Sequence, residues 1–255
     1  PLHMPSTVDA INGWCRTNTD NMIEKILEYD DVDESTTMIL LNALCFEALW
    51  SDQYQDYQCR KAEFHGETET TEVTMMYSEE YGYISGANET GFAKRYEGGK
   101  YAFVALLPNE GMSMSEYLAT LTGERFLSLV DERKGAVDAG LPKFTFDWSD
   151  SLVPALQKLG MVTVFTGQSD LSGLGYYDDD APLYISDVIH KTHIEVEESG
   201  TKAAAVTAVI VNKATAVNPA EIKKVILDRP FIYAIVDTAT NLPVFLGCVT
   251  DLPAA

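Results

Sequence analysis

The stretch Thr36-Thr-Met-Ile-Leu-Leu-Asn-Ala-Leu-Cys-Phe-Glu-Ala-Leu-Trp50 constrains the fold of this chain most strongly. Its apolar residues run on without the polar alternation of a half-exposed strand. Continuous hydrophobicity of this kind predicts a strand covered on both faces, at the centre of a sheet. The chain has 255 residues, of which 46% are hydrophobic and 22% charged, enough to surround such a strand with a folded core.

Other elements are read around it. Val8, Ile11, Trp14, Met22, Ile23, Ile26 and Leu27 give residues 7–29 helical periodicity, ended by Asp30-Asp31-Val32-Asp33-Glu34. Between 61 and 107 come short β segments, among them Val73–Tyr77, Tyr81–Ile84 and Tyr101–Leu107, separated by Gly and Asn turns. Residues 113–132 read as two short helices, with Ser115 as an N-cap. Gly135 to Trp148 returns to strand, 150–165 is helical, and Leu183–Val196 is extended. A loop-like segment runs to about Val225, and a closing hairpin pairs Phe231–Val236 with Val244–Val249. Helices and strands mix without regular βαβ alternation, which predicts an α+β fold dominated by antiparallel sheet.

Charge excludes one class of partner. Eighteen Lys and Arg against 39 Asp and Glu give a net charge of −21, a surface that repels phosphate backbones, so no nucleic-acid partner is expected. No apolar stretch reaches the length of a membrane span, and none is expected. Cys15, Cys45, Cys59 and Cys248 form no CxxC pair and read neither as a zinc site nor as a redox motif; Cys45 and Cys248 read as core thiols. His190 and His193, three apart on a strand, face opposite sides, so no metal is expected there. Serine-hydrolase, P-loop and dinucleotide motifs are absent, and neither cofactor nor enzymatic activity is expected.

One segment departs from ordinary strand chemistry. Residues 203–211 are eight apolar residues and one Thr, and the alternate positions Thr201, Ala203, Ala205 and Thr207 are all small. A core strand normally carries more volume, and about 30 residues separate Gly200 from Pro230, well beyond ordinary loop length. A plain buried strand remains one reading. The other is a loop built to become a strand, whose small side chains slide between existing strands.

At these residues the sequence resembles the serpin family of protease inhibitors. Val225-Ile-Leu-Asp-Arg-Pro-Phe-Ile-Tyr-Ala-Ile235 is similar to the family's C-terminal signature, and His190 to Thr207 to the strand that leads into its reactive-loop hinge. Asn42 to Trp50, Val73-Thr-Met-Met76, Leu141-Pro-Lys-Phe144 and Asp170-Leu-Ser-Gly173 resemble further family blocks in the same order. The resemblance implies a serpin fold of mixed, mainly antiparallel sheets with surrounding helices. It covers the C-terminal two thirds of a serpin, so the 1–255 domain is expected to be N-terminally incomplete and to lack the N-terminal helices. A fragment, a truncated gene product and a variant serpin all fit, and a missing N-terminal segment of the same protein is an expected partner.

By that resemblance the chain is expected to act as a suicide inhibitor of serine proteases. Residues 199–225 are the expected reactive-centre loop. Gly200, Thr201, Ala203, Ala205 and Thr207 are the hinge, while Lys202 and Ser199 depart from the usual acidic and charged residues. Trp50, Lys143, His190 and Glu198 match the cluster where the sheet opens, and Ala48 stands where the family commonly has Gly. Asn42 matches a mid-sheet residue that hydrogen-bonds with His190. Counting fourteen residues from Gly200 places the reactive bond at Ala214–Thr215, with Lys213 and Val211 as rivals. The methyl side chain of Ala214 favours an elastase-like protease, and Lys213 leaves a trypsin-like one open. A carrier-like or chaperone-like serpin, or an inert fragment, is the alternative. An extracellular or cell-surface location follows from the resemblance, although Pro1-Leu2-His3-Met4 carries no signal-peptide pattern.

Overall fold

The computed structural model describes residues 4–34, 36, 38–177, 181–201 and 222–254. In chain order, helix α1 (Pro5–Asn18) precedes strands β1 (Ile39–Cys45) and β2 (Ala48–Leu49). Then come β3 (Cys59–His65), β4 (Thr70–Tyr81), β5 (Tyr83–Ser85), β6 (Glu89–Arg95) and β7 (Tyr101–Pro108). Helices α2 (Met114–Thr120) and α3 (Gly123–Asp131) lead to β8 (Ala136–Pro142), β9 (Phe144–Ser151) and α4 (Val153–Lys158). The later strands are β10 (Tyr176–Tyr177), β11 (Ala181–Pro182), β12 (Asp187–Val196), β13 (Gly200–Thr201), β14 (Lys223–Ile226), β15 (Phe231–Asp237) and β16 (Pro243–Val249). The architecture is α+β with mainly antiparallel pairing, as the sequence predicts; the β1–β12 and β14–β8 pairs are parallel.

The chain divides into two compact units, residues 1–46 with 145–194 and residues 47–144 with 195–255. In the first, β12 pairs with β9 and runs parallel to β1, with Asn42 opposite His190. Helix α1 buries Val8 and Cys15 with Ile23, Ile26, Leu27, Val32 and Ile189, and Ile39, Leu41 and Ala43 of β1 pack against that cluster.

The predicted helix over 7–29 stops at Asn18 because Asp20 and Asn21 adopt left-handed backbone (φ 48° and 62°), which side-chain hydrogen bonding lets these residue types tolerate. The apolar residues beyond are buried by a different device. Buried Asn12 accepts from the Ile26 and Leu27 amides (2.9 and 3.0 Å) and donates to the Leu27 carbonyl (2.8 Å). Asn12→Ala leaves those backbone groups unpaired, and a loss of about 2 kcal/mol is expected, read as a lower urea midpoint. An unchanged midpoint would show that α1 and the 22–28 segment are held by apolar packing alone.

The second unit contains two sheets. One has the order β14-β8-β4-β3 and the other β16-β15-β7-β6-β5. Aromatic side chains fill the space between them: Phe64 meets Phe231, and Phe144 meets Phe231 and Tyr233. The opposite face of the second sheet presents Val104, Leu106, Ile232 and Ala234 to Tyr117 and Phe126 of α2 and α3. Both faces of β7 are therefore buried, and every residue of it from Ala102 to Pro108 is inaccessible.

Doubly covered character was expected instead of the run at 36–50. That run is broken at Phe46-Glu47 into β1 and β2, none of whose residues is fully buried, and Leu40 is 46% exposed. Local differences follow from particular side chains. Ser113, rather than Ser115, caps α2, its hydroxyl accepting from the Glu116 amide. The helix expected over 150–165 reduces to Val153–Lys158, with Gly160 left-handed just beyond its end. Cys15 is the fully buried thiol, whereas Cys45 is half-buried and Cys248 is exposed, pointing outward from β16 between inward Gly247 and Val249. The closing hairpin forms where the sequence places it, with Phe231 opposite Val249.

Candidate hinge and sheet-opening site

The end of β12 turns back on itself within four residues. Glu197 donates its amide to the Gly200 carbonyl (2.9 Å), and Val196 pairs with Thr201. The turn is fastened to the segment after β2 through its carbonyls. Trp50 donates its amide to Ser199 O (3.0 Å) and its indole N–H to Glu197 O (2.8 Å). Tyr54 donates its amide to Glu198 O (2.9 Å). Strand β13 thus lies between the end of β12 and β2, Gly200 opposite Leu49 and Thr201 opposite Ala48.

Gly200 is required here by close approach. A Cβ at this position would stand 2.2 Å from Ala48 O and 2.8 Å from Leu49 Cα. Thr201 is fully buried, and its hydroxyl shares a 2.6 Å hydrogen bond with the Tyr96 hydroxyl. Tyr96 stacks on Trp50 (centroids 4.4 Å apart), and Trp50 meets Phe103 edge-on. Burial holds the Tyr96 phenol far above its usual range, so it stays a neutral hydrogen-bonding group.

A buried cation underlies these aromatics. Lys94 on β6 is 1% exposed; its ammonium lies 4.3 Å from the Tyr54 ring centroid and 5.6 Å from that of Trp50. It pairs with Glu80 Oε1 at 2.6 Å, an oxygen that also accepts from the Ser78 hydroxyl. Nearer the surface, Lys143 pairs with Glu198 at 2.8 Å, both side chains about one-third exposed. Burial pulls the Lys143 ammonium down, but the Glu198 hydrogen bond and charge outweigh it and leave the group raised. Glu197 is raised by burial first, then by the neighbouring Glu195 charge.

The residues matched to the sheet opening are therefore distributed as follows. Trp50, Lys143 and Glu198 surround the turn in the second unit. Asn42 and His190 belong to the first unit, where Asn42 donates to His190 Nδ1 (2.9 Å) and Trp148 meets the His190 ring edge-on. His193 bonds instead to Asp147 (2.9 Å), so the two histidines have different partners. Lys202, Ala203, Ala205, Thr207, Val211, Lys213, Ala214 and Thr215 lie outside the described residues. Lys223 to Val225, inside the expected 199–225 loop, are in β14, parallel to β8. Sequence reasoning did not single out Tyr96, Lys94, Tyr54 or Glu80. The signal available was Phe92-x-Lys94-x-Tyr96, which puts three large side chains on one face at the two-residue period.

The sequence model of one protein family, described as serpin (serine protease inhibitor), matches residues 3–252. The chain belongs to the serpin family. It is 34% identical to Iripin-5 of Ixodes ricinus, over 97% of this chain and 63% of that protein. The serpin fold is also shared with tengpin, a thermophilic serpin. Against its native-state crystal structure the TM-score is 0.91 at 41% identity, covering 99% of this chain and 65% of that one. Against the latent state of tengpin the TM-score falls to 0.79 at 35% identity, with 99% and 67% covered. This serpin chain thus spans under two thirds of the length of the curated relatives it matches.

Proposed function

We propose that this serpin inhibits serine proteases by a suicide mechanism in which its 202–221 segment is cleaved and then inserted as a strand. The observation that carries this reading is the position of β13. It is a two-residue strand, antiparallel to the end of β12 and flanked on its other side by β2. Continuing that strand with Ala203, Ala205 and Thr207 keeps small side chains at every inward position.

The protease attacks the reactive bond and forms an acyl-enzyme with the residue before it. The freed loop then adds to the sheet, carrying the protease with it. About a dozen residues, at roughly 1 kcal/mol per net hydrogen bond, supply on the order of 10 kcal/mol. That energy is available to displace a catalytic triad, where a misplacement of about 1 Å can cost roughly a hundredfold in rate. In this mechanism the Lys143–Glu198 pair and Trp50 govern the opening of the sheet, and Asn42 with His190 governs its middle.

The target we assign is an elastase-like protease, met outside the cell or at its surface. Ala214 suits a shallow apolar primary pocket, whereas a trypsin-like pocket leaves its buried carboxylate unpaired against a methyl group. Val209, Ile210 and Val211 add extended pairing in the protease cleft. Residues 199–225 carry a local charge of +3 on a −21 chain, and Lys213 is the neighbouring alternative for cleavage. The test is mass spectrometry of the small C-terminal peptide released from an SDS-stable complex with elastase. A peptide beginning at Thr215 is expected. One beginning at Ala214 transfers the bait to Lys213, and absence of any complex overturns the inhibitor reading.

A further inference from the structure

We propose that the cavity between helix α1 and the segment that follows it is a binding site for a free dipeptide, held by its two charged ends. The site lies wholly in the first unit and does not depend on the hinge. Its volume is about 280 Å³, and its walls include Asp9, Gly13 and Arg16 of α1 and Lys25, Glu28 and Tyr29 of the returning segment. Hydrogen bonds fix how these walls face each other. The Tyr29 hydroxyl donates to Asp9 Oδ1 (2.6 Å), and Asn12 Oδ1 accepts from the Ile26 and Leu27 amides. Residues 25–29 therefore run antiparallel to α1, with 29 toward the start of the helix and 25 toward its end.

This arrangement separates charge along the cavity. Asp9 and Glu28 make one end acidic, and Arg16 and Lys25 make the other basic. The Lys25–Glu28 contact is long (3.5 Å) and more than half exposed on both sides, so it holds neither group firmly. Arg16 has no side-chain partner among the described residues, which leaves its planar fork free for a carboxylate. Asp9 uses Oδ1 on Tyr29 and keeps Oδ2 for an ammonium. The spacing selects the ligand. From residue 9 to residue 16 the helix axis advances about 10 Å, and the side chains close part of that distance. Two extended peptide residues span about 7 Å, whereas the charges of a single amino acid lie too close together to meet both ends. At ~30 Å³ per water the cavity displaces roughly nine waters, the bulk of a dipeptide with small side chains. Gly13 keeps the middle open, since a Cβ there would meet no atom within 4 Å.

The test is an NMR titration of the 255-residue chain with alanylalanine. Saturable shifts at Arg16 and Tyr29 are expected, with a Kd on the order of 1 mM. Acetylating the amine or amidating the carboxylate removes one charged end, and each is expected to weaken binding about tenfold. Arg16→Gln is expected to weaken alanylalanine about tenfold and to leave the amidated probe unchanged, because that probe has already lost the group Arg16 holds. Asp9→Asn is expected to do the same with respect to the acetylated probe. Gly13→Leu fills the cavity and improves helix propensity, so binding is expected to vanish while Tm holds or rises. Absence of saturable shifts up to about 20 mM overturns the site. Capped probes that bind as well as alanylalanine overturn recognition by two ends, and unchanged binding in Gly13→Leu removes the peptide from this cavity.

Discussion

Under the proposed insertion mechanism, Thr201→Arg is expected to turn the chain from inhibitor to substrate, with loss of SDS-stable protease complexes and multiple loop cleavages per chain. Thr201 has no exposed surface, and its neighbours are the Tyr96 phenol and the backbone of Ala48. None of these supplies a counter-charge to a guanidinium. An unpaired buried charge costs roughly 4 kcal/mol, about a thousandfold in the seating equilibrium. The first residue of the strand is then refused, and insertion loses its race with deacylation. The substitution lies far from the reactive bond by sequence, so the acylation rate is expected to stay within about threefold of the parent. An undiminished yield of complex from the Arg variant would contradict both the burial argument and the insertion reading.

The second large effect concerns stability. Lys94→Met keeps the length of the side chain and its contact with Tyr54 but leaves Glu80, nearly buried, without its cation. Breaking a buried pair by removing one partner costs about 3–5 kcal/mol. For a chain of this size that corresponds to a fall in Tm of roughly 10 °C, measured by circular dichroism or calorimetry. Replacing Glu80 as well, with Met at both positions, is expected to recover most of the loss, because a well-packed apolar pair replaces ions that had to be desolvated. A single variant that melts within about 2 °C of the parent would show that water reaches Glu80 and that the pair is a surface one in energetic terms.

These two sites mark how far the sequence can be read. The hairpin of β15 and β16 is legible because alternation and the 237–243 turn residues act locally. The hinge reading rests on a similarly local signal, small residues at alternate positions, of which Gly200 and Thr201 are described and form β13. The Lys143–Glu198 and Asn42–His190 pairs, 55 and 148 residues apart, are visible only through resemblance to a family, since no local pattern joins such partners. Lys94 is misread by any rule that places Lys at the surface. Its burial depends on Glu80 fourteen residues earlier and on Tyr54 across the fold. Tyr96 stands in Lys-Arg-Tyr-Glu-Gly-Gly, a polar context that reads as a turn, and its place against Trp50 comes from a single strand bridge. The run at 36–50 errs in the other direction, because an apolar sequence states what a strand tolerates on its faces and not what covers them.

Trp50 and Tyr54 hold the turn from Glu197 to Ser199 through its carbonyl oxygens, which every amino acid carries alike, while Lys143 holds it through the Glu198 side chain. Trp50 and Tyr54 therefore act as a fixed bracket indifferent to the letters written at 197, 198 and 199. Substitution at 197 or 199 alters the charge and bulk at the rim of the turn while these backbone contacts persist; at 198 it also removes the Lys143 ion pair. Under the proposed mechanism, side chains at 197 and 199 can change while the Trp50 and Tyr54 mounting of the turn stays in place.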